Sequence, residues 1–390
     1  MQVQSFVAPD QPDHEELTLA EFWNELNYSP EDFKDHHLSD QWRPKEDFGD
    51  YMNEISQSIF KSFHLGAYLL KSLVVWLLTF TLDHNHLILF HDTSTISPLD
   101  HPTGTTCNPD FVACRATQER IHWSEIDATV EIHSAEENAT DGPGPRHAGS
   151  CTDYLLQARP DRVSVQGFYA DVEGVVLILS SADGVQKSPK LNLKDAAQYQ
   201  LLYAFVQRFY DPLPSMIDPT MKRRMENSLW VFDITLTIPH SPSVECVGYR
   251  IEKALGCVGR RTHIFVNNVN PTLLNGVAIT VIKDQYCYRG HRFNEGEVLR
   301  HVHAEEEIPG VVHMAHSEIV TRGDGTPVYS GDRYKRRICL VEYGKPFMDL
   351  KTPLEALEVI YDLLESESEF DMLIFLLIVF GESSYAVLVL

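Results

Sequence analysis

Positive charge is what this 390-residue chain has least of: 32 Lys and Arg stand against 56 Asp and Glu, a formal net charge of −24. A surface that acidic repels phosphate backbones, which excludes nucleic-acid binding as a main task. The basic run of Arg333, Lys335, Arg336 and Arg337 is too local to reverse that. Cysteine is sparse as well, with seven residues at 107, 114, 151, 246, 257, 287 and 339. Lacking any C-x-x-C pair and odd in number, they make neither a disulfide framework nor a zinc ribbon, and they suit a reducing compartment. The N-terminus, MQVQSFVAPDQPDHEE, has no basic n-region, no apolar h-region and no Arg-rich presequence character. An intracellular location, cytoplasmic or nuclear, without a signal peptide is therefore expected. In that compartment the sequon Asn138-Ala139-Thr140 has no meaning as a glycan acceptor. Long apolar runs are few. Leu65–Leu82 approaches spanning length but contains Lys71 and has no basic flank, so it reads as a buried helix running into a strand. Met372–Phe380 is too short to cross a bilayer and reads as a strand or strand-like tail. A membrane role is disfavoured, and no internal repeat is visible.

What is present is ordinary globular composition, 43% hydrophobic and 23% charged, at a length of two or three domains. Residues 1–64 read as an acidic helical region. Thr18-Leu19-Ala20-Glu21 fits a capping box ahead of Phe22, Trp23 and Leu26, and a second amphipathic helix is expected over Phe48–Phe63. Residues 65–210 read as an α+β extension. Its strands are HLILFHD, DFVACRA, DATVEIH, VSVQGFYA and GVVLILSS, interrupted by a polar Gly/Pro loop at Glu136–Gly149 and followed by a helix over Ala196–Tyr210. Residues 211–242 are Pro-rich and read as an irregular linker. Residues 243–364 form a second set of strands (SVECVGYRIEKAL, RRTHIFVNNV, GVAITVIKDQY, GVVHMAHSEIV, RRICLVEYG), with a helix at about Arg292–Ala304 and another from about Pro353 to Leu364. Residues 365–390 are an atypical apolar tail.

The order of elements after residue 243 is the one an ATP-binding kinase N-lobe uses. Two strands join through the turn Leu255-Gly256-Cys257-Val258-Gly259-Arg260, where Gly256 and Gly259 would let backbone N–H groups approach phosphates. The turn is shorter than a full G-x-G-x-x-G. The next strand ends Val281-Ile282-Lys283, and a lysine there meets the α- and β-phosphates. In the following helix Glu295 precedes Leu299 by four residues, so the carboxylate and a core-facing leucine share one side, and a Lys283–Glu295 ion pair is expected. The apolar strand Ile338–Glu342, followed by Tyr343 and Gly344, has the character of a hinge whose backbone binds an adenine edge.

These pieces, with others along the chain, resemble the fungal-type protein kinase domain and its large N-terminal extension. The similarity runs through His91-Asp92-Thr93, Pro109-Asp110-Phe111, Ile121–Ile126, Val130-Glu131-Ile132 and Asp183-Gly184-Val185. It continues in Gly259–Thr262, Val281–Lys283, Glu295–Leu299, Pro309-Gly310-Val311, Arg336–Leu340 and Tyr343–Phe347, so it covers about residues 85–364 in order. The resemblance implies an α+β fold with a kinase-like N-lobe, an antiparallel sheet plus one helix. It implies Lys283 as the ATP-anchoring lysine, Glu295 as its partner and Gly256 and Gly259 as the phosphate loop, beside the hinge reading of Glu342 and Tyr343 taken from the strand pattern. Members of the family carry next an H-R-D-type catalytic loop and a D-F-G-type metal aspartate. After Leu364 this sequence reads ESESEFDMLIFLLIVFGESSYAVLVL, with neither. The expectation is therefore a chain missing its C-lobe, with no catalytic aspartate, no Mg²⁺ site, weak ATP contact and no phosphoryl transfer. The underside of such an N-lobe would be an exposed apolar face open to a protein partner or a full-length kinase. The competing class is a non-catalytic interaction module.

Two other constellations compete. Asp110, with Glu131-Ile132-His133 on the next strand, has the spacing of a metal-dependent nuclease site, but His133 stands where that pattern has lysine and the net charge opposes DNA. His301-Val302-His303 and His313-Met314-Ala315-His316 suggest zinc. Histidines at i and i+2 diverge on a helix, however, and no closed set of four ligands is formed, so no metal is expected.

Overall fold

The computed structural model describes residues 15–33, 52–59, 87–104, 107–115, 120–132, 144–171, 174–192, 195–290, 294–304 and 311–343, with short pieces at 345–346, 352 and 387–388. Leu65–Leu82, Asn138–Thr140, His133, the helix expected over Pro353–Leu364 and Met372–Phe380 lie outside the described residues. The fold is α+β, and its residues divide into two compact units. Among the described residues no helix is long and apolar enough to cross a membrane.

The first unit comprises residues 1–219, with 254–261 and 329–332 added from further along the chain. Strand β1 (Glu15–Glu16) leads into helix α1 (Leu19–Glu25). The capping box is formed as the sequence predicts: Glu21 N–H donates to Thr18 Oγ1 at 3.3 Å, and Thr18 N–H donates to Glu21 Oε2 at 2.8 Å. A cap of this kind contributes about 1 kcal/mol and lets so short a helix begin where it does. Helix α2 covers 52–59 and buries Met52, Ile55 and Ile59 at i, i+3 and i+7. Then come β2 (Ile88–Asp92), β3 (Phe111–Arg115) and β4 (Ala128–Ile132), helix α3 (Gly144–Ala158), β5 (Ser164–Ala170), β6 (Val175–Ser181), β7 (Val185–Lys187) and helix α4 (Ala196–Tyr210). The Gly/Pro loop expected over Glu136–Gly149 is corrected at its C-terminal end, where residues from Gly144 onward are already helical.

The seven strands stand in the order β1-β7-β6-β5-β4-β3-β2. The β4–β5 and β1–β7 pairs are parallel and the others antiparallel. A parallel β4–β5 pair needs a crossover, and α3 supplies it. Phe90, Val130, Phe168 and Leu177 face one way, against α1, α2 and α4. Val112 and Val165 face the other way, with Leu155 and Leu156 of α3. Strands covered on both faces read as continuous apolar runs, which is why GVVLILSS showed no alternation.

The second unit holds residues 220–253, 262–328 and 333–390. It contains β8 (Met221–Glu226), β9 (Leu229–Leu236), β10 (Val244–Leu255), β11 (Thr262–Val266), the small β12–β13 hairpin (Thr272–Leu274, Val277–Ile279), β14 (Val281–Tyr288), helix α5 (Glu295–Val302) and β15 (Met314–Ile319); β16 (Tyr329–Ser330) and β17 (Arg333–Leu340) follow in the chain. The stretch 211–242, expected to be irregular, thus contains two strands. The main path of the sheet is β15-β17-β14-β11-β10-β9-β8. The pairs β8–β9, β9–β10, β11–β14, β14–β17 and β15–β17 are antiparallel.

This sheet curls until its two ends meet. Thr237 N–H, just after β9, donates to Glu318 Oε2 of β15 at 2.7 Å, and Arg337 of β17 donates to the Thr235 carbonyl at 3.0 Å. The concave side encloses Met221, Phe232, Ile234, Phe265, Ile282 and Cys339. The apolar underside expected to lie open is therefore filled on this side by β8 and β9, which were not anticipated as strands.

Candidate functional site

Strand β14 carries the site because alternate residues point to opposite faces. Ile282, Asp284 and Tyr286 face the interior and are buried. Lys283 and Gln285 face the other way, toward α5. That helix starts at Asn294, whose side chain accepts from Gly296 N–H at 3.0 Å. Glu295 and Glu297 in its first turn favour the positive end of the helix dipole, and Arg300 and His301 in its last turn favour the negative end. Leu299, one turn beyond Glu295, is buried and fixes the rotation of the helix.

Lys283 and Glu295 are brought together. Lys283 Nζ donates to Glu295 Oε1 at 2.8 Å and to Oε2 at 2.7 Å. Gln285, two residues on and on the same face, donates to Oε2 at 3.3 Å. The period-2 spacing from Lys283 is the signal that could have added Gln285 to the sequence reading. The Lys283 and Glu295 side chains are 25% and 33% exposed. A pair so open to water contributes about 0–1 kcal/mol to stability, so its geometry matters more for holding an ammonium group in place than for holding the fold together.

The other expected site residues are placed differently. Gly256 and Gly259 take the positive φ values, +63° and +82°, that their turn demands. The turn belongs to the first unit, however. Gly259 N–H donates to the Ala182 carbonyl at 2.6 Å, and Cys257 packs on the cluster around Trp123 and Leu155. Next to it the buried Arg261 guanidinium donates to the carbonyls of Val163, Leu156 and Arg159. The Gly259 amide expected to face a phosphate is thus already committed, because the half-exposed turn is anchored to the first unit through that bond and through Cys257. At the hinge position, the Glu342 carboxylate accepts from His313 N–H at 2.7 Å and pairs with His313 Nδ1 at 2.5 Å. Tyr343 is exposed and its hydroxyl donates to Glu252 Oε1 at 2.8 Å.

On the interior face a different electrostatic centre is built. Arg337 donates to both oxygens of Asp284, at 2.8 and 2.9 Å, and Lys335 Nζ lies 3.0 Å from Asp284 Oδ2. All three are buried. Despite the cost of burying it, the two cations hold the Asp284 carboxyl well below the usual carboxylate range. The run read from sequence as a local basic cluster is in this part an internal counter-charge, because alternate residues of β17 point inward.

Among their described residues, the competing constellations do not assemble a centre. Asp110 Oδ2 accepts from Ile132 N–H at 2.7 Å, and Glu131 is buried beside Cys151. His303 stacks on His313 with ring centres 4.5 Å apart, while His301 is exposed. Among the described residues no group of three or more His, Cys, Asp or Glu side chains is arranged to hold a metal ion. Comparison with protein-family models, curated proteins and solved structures gave no match.

Proposed function

We propose that the second unit is a nucleotide-contacting lobe of the fungal-type protein kinase kind, one that grips ATP weakly and does not itself transfer phosphate. In this reading Lys283, oriented by Glu295, meets the α- and β-phosphates as a fixed point charge, and the segment at Glu342 and Tyr343 lies along the adenine edge. The observation that carries it is the two-point Lys283–Glu295 contact, made from the third strand of the sheet counted from β10 to the helix that next follows it among the described residues. Phosphoryl transfer needs metal ions on the phosphates and a positioned base. No H-R-D or D-F-G triplet follows Tyr343 in this sequence, and the triplet Asp47-Phe48-Gly49 precedes the lobe, outside the described residues.

A thermal-shift series with millimolar ATP, with and without Mg²⁺, tests this beside Lys283→Ala. At a Kd near 1 mM, about 1 mM ATP stabilises by about 0.4 kcal/mol and raises the Tm by about 1–2 °C. The shift is expected with or without Mg²⁺ and is lost in Lys283→Ala. Incorporation of labelled phosphate above the level of that variant would overturn the inactive half of the proposal. The second reading, a non-catalytic interaction module serving a protein partner or a full-length kinase, is favoured by the committed Gly259 amide. Absence of any ATP shift in the wild-type chain would select it.

A further inference from the structure

The first unit brings together two thiols and a carboxylate that the nucleotide reading does not use. Cys107 stands in the loop before β3, Cys151 in the middle of α3 and Glu131 on β4. The two sulfur atoms are 2.8 Å apart, and Cys151 Sγ donates to Glu131 Oε1 at 3.0 Å. Both cysteines are carried as thiols. They are 44 positions apart in the chain, so it is the fold and not local sequence that joins them. The pair is also asymmetric: Cys107 is partly exposed, whereas Cys151 is fully buried and Glu131 is 4% exposed. The contact with Cys107, burial and the Glu131 charge all push the Cys151 thiol far above its ordinary value. Cys107 is therefore the sulfur that meets a reagent from solvent, and Cys151 the one that waits behind it.

We propose that Cys107 and Cys151 form a reversible disulfide on exposure to a low-molecular-weight disulfide such as oxidised glutathione, with Glu131 receiving the Cys151 proton. The Cys107 thiol loses its proton to solvent, and its thiolate attacks one sulfur of the glutathione disulfide. That S–S bond breaks and one glutathione leaves as a thiolate, which takes up a proton. Cys151 then passes its proton to Glu131 and attacks the Cys107 sulfur; the mixed S–S bond breaks, and the second glutathione leaves as a thiolate that takes up a proton as Glu131 releases its own. Two protein thiols are oxidised and one external disulfide is reduced to two thiols. The new bond ties α3 to the loop that precedes β3 and constrains the unfolded chain.

The test uses the full chain, treated with excess oxidised glutathione, quenched with N-ethylmaleimide in denaturant so that buried thiols react, and digested without reduction for mass spectrometry. A Cys107–Cys151 linked peptide is expected, with loss of two of the seven alkylatable thiols. The Tm should rise by about 5–10 °C, and dithiothreitol should reverse all three changes. Cys151→Ser should hold a persistent glutathione adduct on Cys107, and Glu131→Gln should slow ring closure roughly tenfold or more. Wild-type chain in which both cysteines stay alkylatable at saturating oxidant, or in which either pairs with another cysteine, would overturn the proposal; this needs no variant to fold. Closure by Glu131→Gln within about twofold of wild type would remove the carboxylate from the step.

Discussion

Lys283 and Asp284 are adjacent in sequence and lie in opposite electrostatic regimes. Lys283 makes its pair in a half-open setting, where water screens the charges. Asp284 is fully buried against Arg337 and Lys335, so removing it takes the closer carboxylate from two buried cations and leaves Arg337 the Glu318 carboxylate at 3.4 Å. Asp284→Ala should therefore cost about 3–5 kcal/mol in urea unfolding, while Lys283→Ala stays within about 1 kcal/mol of wild type. Equal losses for the two variants would contradict the assignment of faces. A second, half-buried acid behaves in the opposite sense. Asp153 of α3 sits beside Cys257, and burial pushes its carboxyl up to about 6, with the Cys257 contact offsetting only part of that. A carboxyl whose folded pKa exceeds its unfolded value of 3.8 penalises the folded state once it ionises. The penalty is absent at low pH, grows as pH rises from about 4 to 6, and is constant above that. Asp153→Asn should be more stable than wild type at pH 7.5 by about 2–3 kcal/mol, with the gap closing toward pH 4. Denaturant midpoints at the two pH values check this, and a gap independent of pH would refute it.

Helix α5 shows how a short element holds a site in register. A Cβ built on Gly296 would lie 2.4 Å from Ser317 Oγ and 2.9 Å from Ser317 Cβ, so this turn rests directly on β15. Ser317 is too short to swing aside. Gly296→Ala must lift the first turn off the strand, and Glu295 moves with it. The expected outcome is an ATP thermal shift reduced at least as far as in Glu295→Ala, although alanine is the better helix former. An undiminished shift would mean that Glu295 does not depend on this contact. Much of this arrangement was legible beforehand. The apolar strand ending in Lys283, the Glu295–Leu299 spacing and the Thr18–Glu21 cap each rest on local periodicity or local hydrogen bonding. The strand β8, by contrast, reads MKRRME and ends the main path of the sheet, so charge conceals it and nearby prolines suggest a linker. The start of α3 reads GPRHAGS, which has poor helix propensity, and the packing of the whole helix against β4 and β5 decides the outcome. The interior charges on β17 were hidden for a related reason, since strand alternation does not say which face is wet. The placement of the Gly256–Gly259 turn depends on contacts with Ala182 and Trp123, far away in the sequence.

The two units differ in how their chain is assembled, and this sets where the second one can be cut. Reading 211–242 as a linker suggests that a lobe beginning at 243 should stand alone. The structure argues otherwise. Residues 220–236 supply Met221, Phe232, Ile234 and Leu236 to the interior of the curled sheet, and Thr220 and Thr235 each accept a hydrogen bond from Arg337. At about 1.5–3 kcal/mol for each buried apolar side chain, those four contribute roughly 6–12 kcal/mol, as much as the whole net stability of a typical domain. Without them Phe265, Ile282 and Cys339 would face water, and Arg337 would lose two of its partners. A fragment covering 243–390 should therefore show no cooperative urea transition and no near-ultraviolet circular dichroism. A fragment covering 220–390 keeps the Arg337 partners and its own apolar interior, and should unfold in a single sigmoidal step. Matching transitions for the two fragments would show that β8 and β9 are an appendage to the sheet and not the wall that closes it.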